Sequence, residues 1–123
     1  MPVFSVGGLT FGIVICNDSN YREPARIMPA QGSTALFVPT NNGLPPEKAD
    51  VVADTRKIDI ARAIENGVSV IRADVAGRTA DLVSYGSSGI VDRHGMVLQA
   101  AQRLKEDLLV ADLDTTTREK KAW

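Results

Sequence analysis

The chain has 123 residues, of which 44% are hydrophobic and 24% charged, with a formal net charge of -1. This is one domain's worth of chain with the composition of a soluble globular protein, and it offers no basic footprint for nucleic acid or an anionic membrane surface. No apolar run approaches the ~18 residues that span a bilayer, no basic leader opens the chain, and a single Cys rules out an internal disulfide, so a cytoplasmic protein is expected.

Residues 3–6 read as a strand, Gly7-Gly8 as a two-residue hairpin turn, and 10–15 as a second strand that is apolar on both faces. Cys16-Asn17-Asp18-Ser19-Asn20 follows as a polar turn. A helix is expected over 22–31, with Glu23 near its positive end and Pro24 in the first turn, where a missing N–H goes unused. Pro29 predicts a kink or an early stop near Met28. A strand over 34–38 then leads into a loop over 39–50, marked by Asn41-Asn42-Gly43 and Pro45-Pro46. Asp54 is placed to cap a second helix over 55–66, with Ile60, Ala61 and Ile64 as its apolar face and Asn66-Gly67 as its end. Strands are expected over 68–73, 90–92, 96–100 and 108–113, with a turn at Arg93-His94-Gly95, and residues 115–123 form a charged tail.

Strands alternating with two helices give an α/β layer. Two helices cover one face of a sheet of about six strands, so the opposite, apolar face is left to meet a partner layer.

Several stretches resemble, in order, the signatures of one family, the nitrilase superfamily of carbon–nitrogen hydrolases. Gly12-Ile13-Val14-Ile15-Cys16-Asn17-Asp18, with Glu23-Pro24-Ala25-Arg26, resembles its nucleophile segment, in which a buried strand ends in the attacking Cys. Gln31-Gly32-Ser33-Thr34-Ala35-Leu36-Phe37-Val38-Pro39 is similar to its next strand, and Arg62-Ala63-Ile64-Glu65-Asn66 to its Arg-Ala-x-Glu-Asn helix. Gly86-Ser87-Ser88-Gly89-Ile90-Val91-Asp92, then Gly95, resembles its Gly-x-Ser-x-Ile-x-Asp hairpin, and Ala111-Asp112-Leu113-Asp114 its closing strand. The departures are Arg22 where Pro is usual, Asp74 where Asn is common, and Pro29 within the helix.

The resemblance implies about half of an αββα sandwich: one α-β layer, spanning 1–114 as a partial domain. It also implies Cys16 as nucleophile toward a small non-peptide amide or N-carbamoyl compound, through a thioester. The backbone N–H of Asn17 is then an oxyanion donor, Asn41 and Asn42 border the substrate, and Asp18, Glu23, Arg26, Arg62 and Glu65 support the site. No metal or organic cofactor is implied. The expected partners are a complementing half-domain or a second copy of the chain. The family's catalytic Glu and Lys precede the Cys, yet residues 1–15 contain neither. A truncated hydrolase, one chain of a split enzyme and a non-catalytic relic or assembly module are the resulting alternatives.

Other chemistry is weaker. A lone Cys closing an apolar strand is commonly a small core hydrophobe, and the flanking motifs are what favour the nucleophile. His94 sits at a hairpin tip remote in sequence from Cys16. Gly86-Ser87-Ser88-Gly89 lacks the spacing of a serine nucleophile elbow and reads as a strand entry. Asp112 and Asp114 have no companion cluster and read as an acidic strand end.

Overall fold

The computed structural model describes residues 2–116; the part of the expected tail from 117 onward lies outside the described residues. Strands β1 (Phe4–Val6) and β2 (Leu9–Ile13) pair antiparallel across Gly7 and Gly8, whose φ angles of 54° and 84° are those of the hairpin turn that matches strand twist. A 3-10 turn, Cys16–Asn20, leads into helix α1 (Arg22–Ala30), then strand β3 (Ala35–Thr40). Helix α2 (Val51–Asn66) and strand β4 (Ser69–Asp74) come next. A hairpin of β5 (Ala76–Thr79) and β6 (Leu82–Tyr85) precedes β7 (Gly89–Val91) and β8 (Val97–Ala100).

The main sheet runs β1-β2-β3-β4-β7-β8, with β2, β3 and β4 parallel and the remaining pairs antiparallel. Both helices pack on one face. There Val14, Met28, Leu36, Val38, Ala63, Val68, Val70 and Val91 form the core. Helix and strand come close at Gly12, where a Cβ would overlap the Met28 side chain; a larger residue would force that buried side chain to move. The chain is thus the expected α/β layer, with its sheet sheathed on one side.

Two prolines fit for reasons of register. Pro39 lies inside β3, where residues 37 and 39 point their backbone polar groups toward β2. That strand's last bond to β3 runs from Val14 N to the Phe37 carbonyl, and Pro39, with no N–H to donate back, ends the ladder there. Pro29 sits in the last turn of α1, and the helix stops at Ala30, one residue short of the expected 31 and just past the stop expected near Met28. The chain leaves through bonds from Gln31 N and Ser33 N to the Met28 carbonyl.

Four expectations are corrected. Asp54 does not cap α2: a 3-10 turn at Pro46–Lys48 and a helical Ala49 feed the backbone into a helix that begins at Val51. The buried stripe of α2 is largely polar, namely Thr55, Asp59, Arg62, Ala63 and Asn66, whereas Ile64 is 60% exposed; bonds to Arg72 in the sheet and to backbone carbonyls of the 3-10 turn set the helix's rotation. Residues 108–113 form no strand. Leu109, Val110, Ala111 and Leu113 instead line a cleft with Leu9, Phe37, Ile71 and Ile90, lying over a sheet face where no strand edge offers a ladder. The β5–β6 hairpin was not expected, because it turns at Ala80 (φ 52°) and Asp81 without the Gly or Asn that marks such turns.

The face opposite the helices carries Phe4, Phe11, Ile13, Phe37 and Ile71. Phe4 and Phe11 have ring centroids 5.6 Å apart, and Phe11 and Phe37 meet edge-to-face at 5.3 Å. Phe4 remains 45% exposed, Ile13 41% and Phe37 36%. This is the apolar face that the element count leaves uncovered, with residues 109–115 lying over part of it.

Candidate active site

Three parallel strands end at the same edge of the sheet, the usual place for a site in such sheets. Cys16 follows β2, Asn41 and Asn42 follow β3, and Asp74 closes β4. Cys16 is half-buried and takes φ 48°, a conformation uncommon for a non-glycine residue and one found at functional turns. Its Sγ donates to Asn42 Oδ1 at 3.7 Å. Asn17 is the second residue of the 3-10 turn, and the first amides of a helical turn have no acceptor within it.

The two asparagines have different jobs. Asn42 touches the thiol. Asn41 is tied down, its Oδ1 accepting from Ser84 Oγ at 2.9 Å and from Gly43 N at 3.5 Å. A bridge between Leu44 and Val83 holds the same loop against the β5–β6 hairpin. That hairpin therefore sets where Asn42 stands.

The turn after Cys16 is gripped from below. Ser19 Oγ donates to the Cys16 carbonyl at 2.8 Å. Arg62 donates through Nε to the Ser19 carbonyl (3.0 Å) and through Nη2 to the Asn20 carbonyl (2.9 Å), satisfying acceptors that a short helix leaves open. Arg72 on β4 forms a forked pair with Asp59 on α2, at 2.6 and 2.9 Å, and donates to Ser19 Oγ at 2.9 Å and Thr40 Oγ1 at 2.8 Å. Asp59 is 1% exposed and Arg72 4%. Arg56 stands beside Asp59 and donates to the Ser87 and Ser88 carbonyls at 2.9 Å. Burial pulls its guanidinium below the usual range, with Asp59 opposing that shift.

The expected support residues separate. Arg62 and Glu65 pair at 3.2 Å, and Arg62 reaches the site turn. Glu23 and Arg26 also pair, at 2.8 Å, but both side chains are about two-thirds exposed, so they bind the first turn of α1 and nothing beneath Cys16. The hydrogen bond and charge of Arg26 hold Glu23 below the ordinary carboxylate range. Asp18 is exposed, and its backbone bonds Ile15 and Tyr21. His94 stands on the β7–β8 turn, three strands from β2 in the sheet. Gly86-Ser87-Ser88-Gly89 enters β7 as expected, with Ser87 N and Oγ both donating to Asp74 Oδ2, at 2.8 and 2.7 Å.

Sequence reasoning passed over Ser19, Thr40, Asp59 and Arg72. The signal was available for two of them: Arg72 shares the helix-facing side of β4 with Val70, and an ion placed in a core requires a counter-ion there.

The family model for carbon-nitrogen hydrolases matches residues 1–122. The chain belongs to the carbon-nitrogen hydrolase family. It is 34% identical over 110 residues to the glutamine-dependent NAD(+) synthetase of Xylella fastidiosa, covering 89% of this chain and 20% of that protein. Among solved structures, the carbon-nitrogen hydrolase of Helicobacter pylori G27 superimposes with a TM-score of 0.79 at 27% identity, covering 89% of this chain and 41% of that one. An amidase of the nitrilase superfamily from Nesterenkonia AN1 gives a TM-score of 0.71 at 29% identity, covering 82% and 37% respectively. A mutant of that amidase shows covalent addition of the acetamide moiety of fluoroacetamide at its active site cysteine. This carbon-nitrogen hydrolase chain spans less than half the length of these relatives, and its six-stranded sheet with helices on one face is a partial domain of their fold. Among the described residues, no helix is long and apolar enough to cross a membrane.

Proposed function

We propose that this chain supplies the nucleophile half of an amidase-type C–N hydrolase, with Cys16 attacking the carbonyl carbon of a small non-peptide amide or N-carbamoyl compound. The observation that carries this is the thiol itself: a half-buried Cys at a positive-φ elbow, on the carboxyl edge of parallel strands, within reach of Asn42. The thiol proton passes to a base as the S–C bond forms, and the Asn17 N–H donates to the oxyanion. Collapse breaks the C–N bond and releases ammonia or an amine; water then cleaves the thioester to the acid. Asn42, and less directly Asn41, orient the polar end of the substrate.

The general base and the lysine of the family come from outside this layer, because residues 1–15 hold no Glu or Lys. The apolar sheet face is where a complementing half-domain would sit, and the outer surface of α1 and α2 is a candidate for self-association. The use of a thiol suits a reducing, cytoplasmic setting.

The test is ammonia release from small amides by the chain with and without a polypeptide carrying the complementary layer, each compared with Cys16→Ala. Turnover that requires both the complement and Cys16 is the expected result. Turnover that survives Cys16→Ala would sink the assignment.

A further inference from the structure

The peptide joining Cys16 to Asn17 is trans, so its C=O and its N–H point in opposite directions. Fixing the carbonyl therefore fixes the amide. Ser19 Oγ donates to that carbonyl at 2.8 Å while accepting from Arg72 Nη2 at 2.9 Å. A guanidinium can only donate. Arg72 thus occupies a lone pair of the serine oxygen and leaves its single proton for the Cys16 carbonyl. Arg72 cannot swing away, since both oxygens of Asp59 and Thr40 Oγ1 hold it. Ser19, Thr40, Asp59 and Arg72 are all buried, so water does not compete for these bonds.

We infer that Asp59, Arg72 and Ser19 form a positioning relay that aims the Asn17 N–H at the oxyanion by pinning the other end of the same peptide. The inference rests on the proposed roles of Cys16 and the Asn17 amide. None of the three side chains needs to touch the reacting atoms, so they are positioning residues. The relay also holds a backbone that Cys16, at φ 48°, would otherwise leave for a more populated conformation.

Two thiol reagents separate this role from simple structural support, used on the full chain. Acylation by p-nitrophenyl acetate forms an S–C bond through an oxyanion and expels p-nitrophenolate. Alkylation by iodoacetamide forms an S–C bond and expels iodide with no oxyanion. Losing a whole oxyanion donor slows reaction about 10²–10³-fold, so loosening one in Ser19→Ala is expected to slow acylation about tenfold. Alkylation should stay within about twofold, because Cys16 keeps its place on the strand end. Ser19→Thr, which keeps the hydroxyl, should recover the acylation rate, and Asp59→Asn should lower it in the same selective way.

Equal losses in both reactions would make the network mere scaffolding, and no loss in either would remove it from the site; both outcomes overturn the relay while leaving Cys16 as nucleophile. A different failure is recognisable: wild-type acylation no faster than Cys16→Ala would overturn the nucleophile assignment and the relay with it.

Discussion

The two faces of the six-stranded sheet are built on opposite principles. The helix side buries a polar network, in which Asp59, Arg72, Arg62, Ser19 and Thr40 sit among Val14, Leu36, Val38 and Val70. The other side presents Phe4, Phe11, Ile13, Phe37 and Ile71, apolar and partly exposed. An apolar core alone would hold α2 with fewer desolvated charges, and buried ion pairs seldom add net stability. What the network supplies is a defined position for one turn, the one that carries Cys16. The apolar face specifies no such point; it supplies area, which is what a partner layer needs.

Removing one member of the buried pair is the largest expected perturbation. Arg72→Met leaves Asp59 without its forked partner, and stranding a buried charge costs about 3–5 kcal/mol, a large share of a domain's ~5–15 kcal/mol. Chemical denaturation should show the midpoint falling with little change in slope, and the double variant Arg72→Met with Asp59→Leu should regain much of the loss. A single variant as stable as wild type would mean that water reaches the pair.

The open face should respond differently. In Ile13→Ser with Phe37→Ser, side chains already part-exposed lose burial worth about 1–2 kcal/mol, but the apolar patch shrinks. The expected result is reduced self-association by sedimentation and reduced binding of a hydrophobic dye, with the fold retained. A monomeric wild-type chain with a cooperative melt would overturn the view that this face needs covering.

The exposed pair on α1 is the smallest effect. Arg26→Gln should shift the melting temperature by no more than about 1 °C near neutrality, as for other surface pairs. Its trace lies in the pH profile. Glu23 is held below its ordinary value of 4.5 in the folded chain, so the stabilisation is complete above that value and disappears as pH falls through the lower, folded one. Arg26→Gln should remove that acid-side slope in thermal melts between pH 5 and about pH 3.

Much of this was written in the local sequence. The Gly7-Gly8 hairpin, the Cys16 strand end, the end of α2 at Asn66-Gly67, and strands β3, β4, β7 and β8 all follow from periodicity and turn chemistry, which act over a few residues. So does the bare face, which follows from counting helices against strands. Asn42 could be placed beside the site only as a loop residue; its contact with the thiol needed parallel β2 and β3 in register, Ile13 opposite Phe37. The rotation of α2 was illegible because Ile60 and Ile64 suggest a core stripe, and the overriding partners lie 13 and 43 residues away in sequence, in the Asp59–Arg72 bond and the Arg62–Ser19 bond. Residues 108–113 look like a strand by composition, but a strand needs an open edge, and only the assembled sheet shows that this segment has none. The sequence by itself determined both helices, most strands of the main sheet and where the thiol stands along the chain. The tertiary structure decided which buried charges meet, and with them how the peptide after Cys16 is aimed, because hydrogen bonds between distant segments depend on distances that local pattern does not encode.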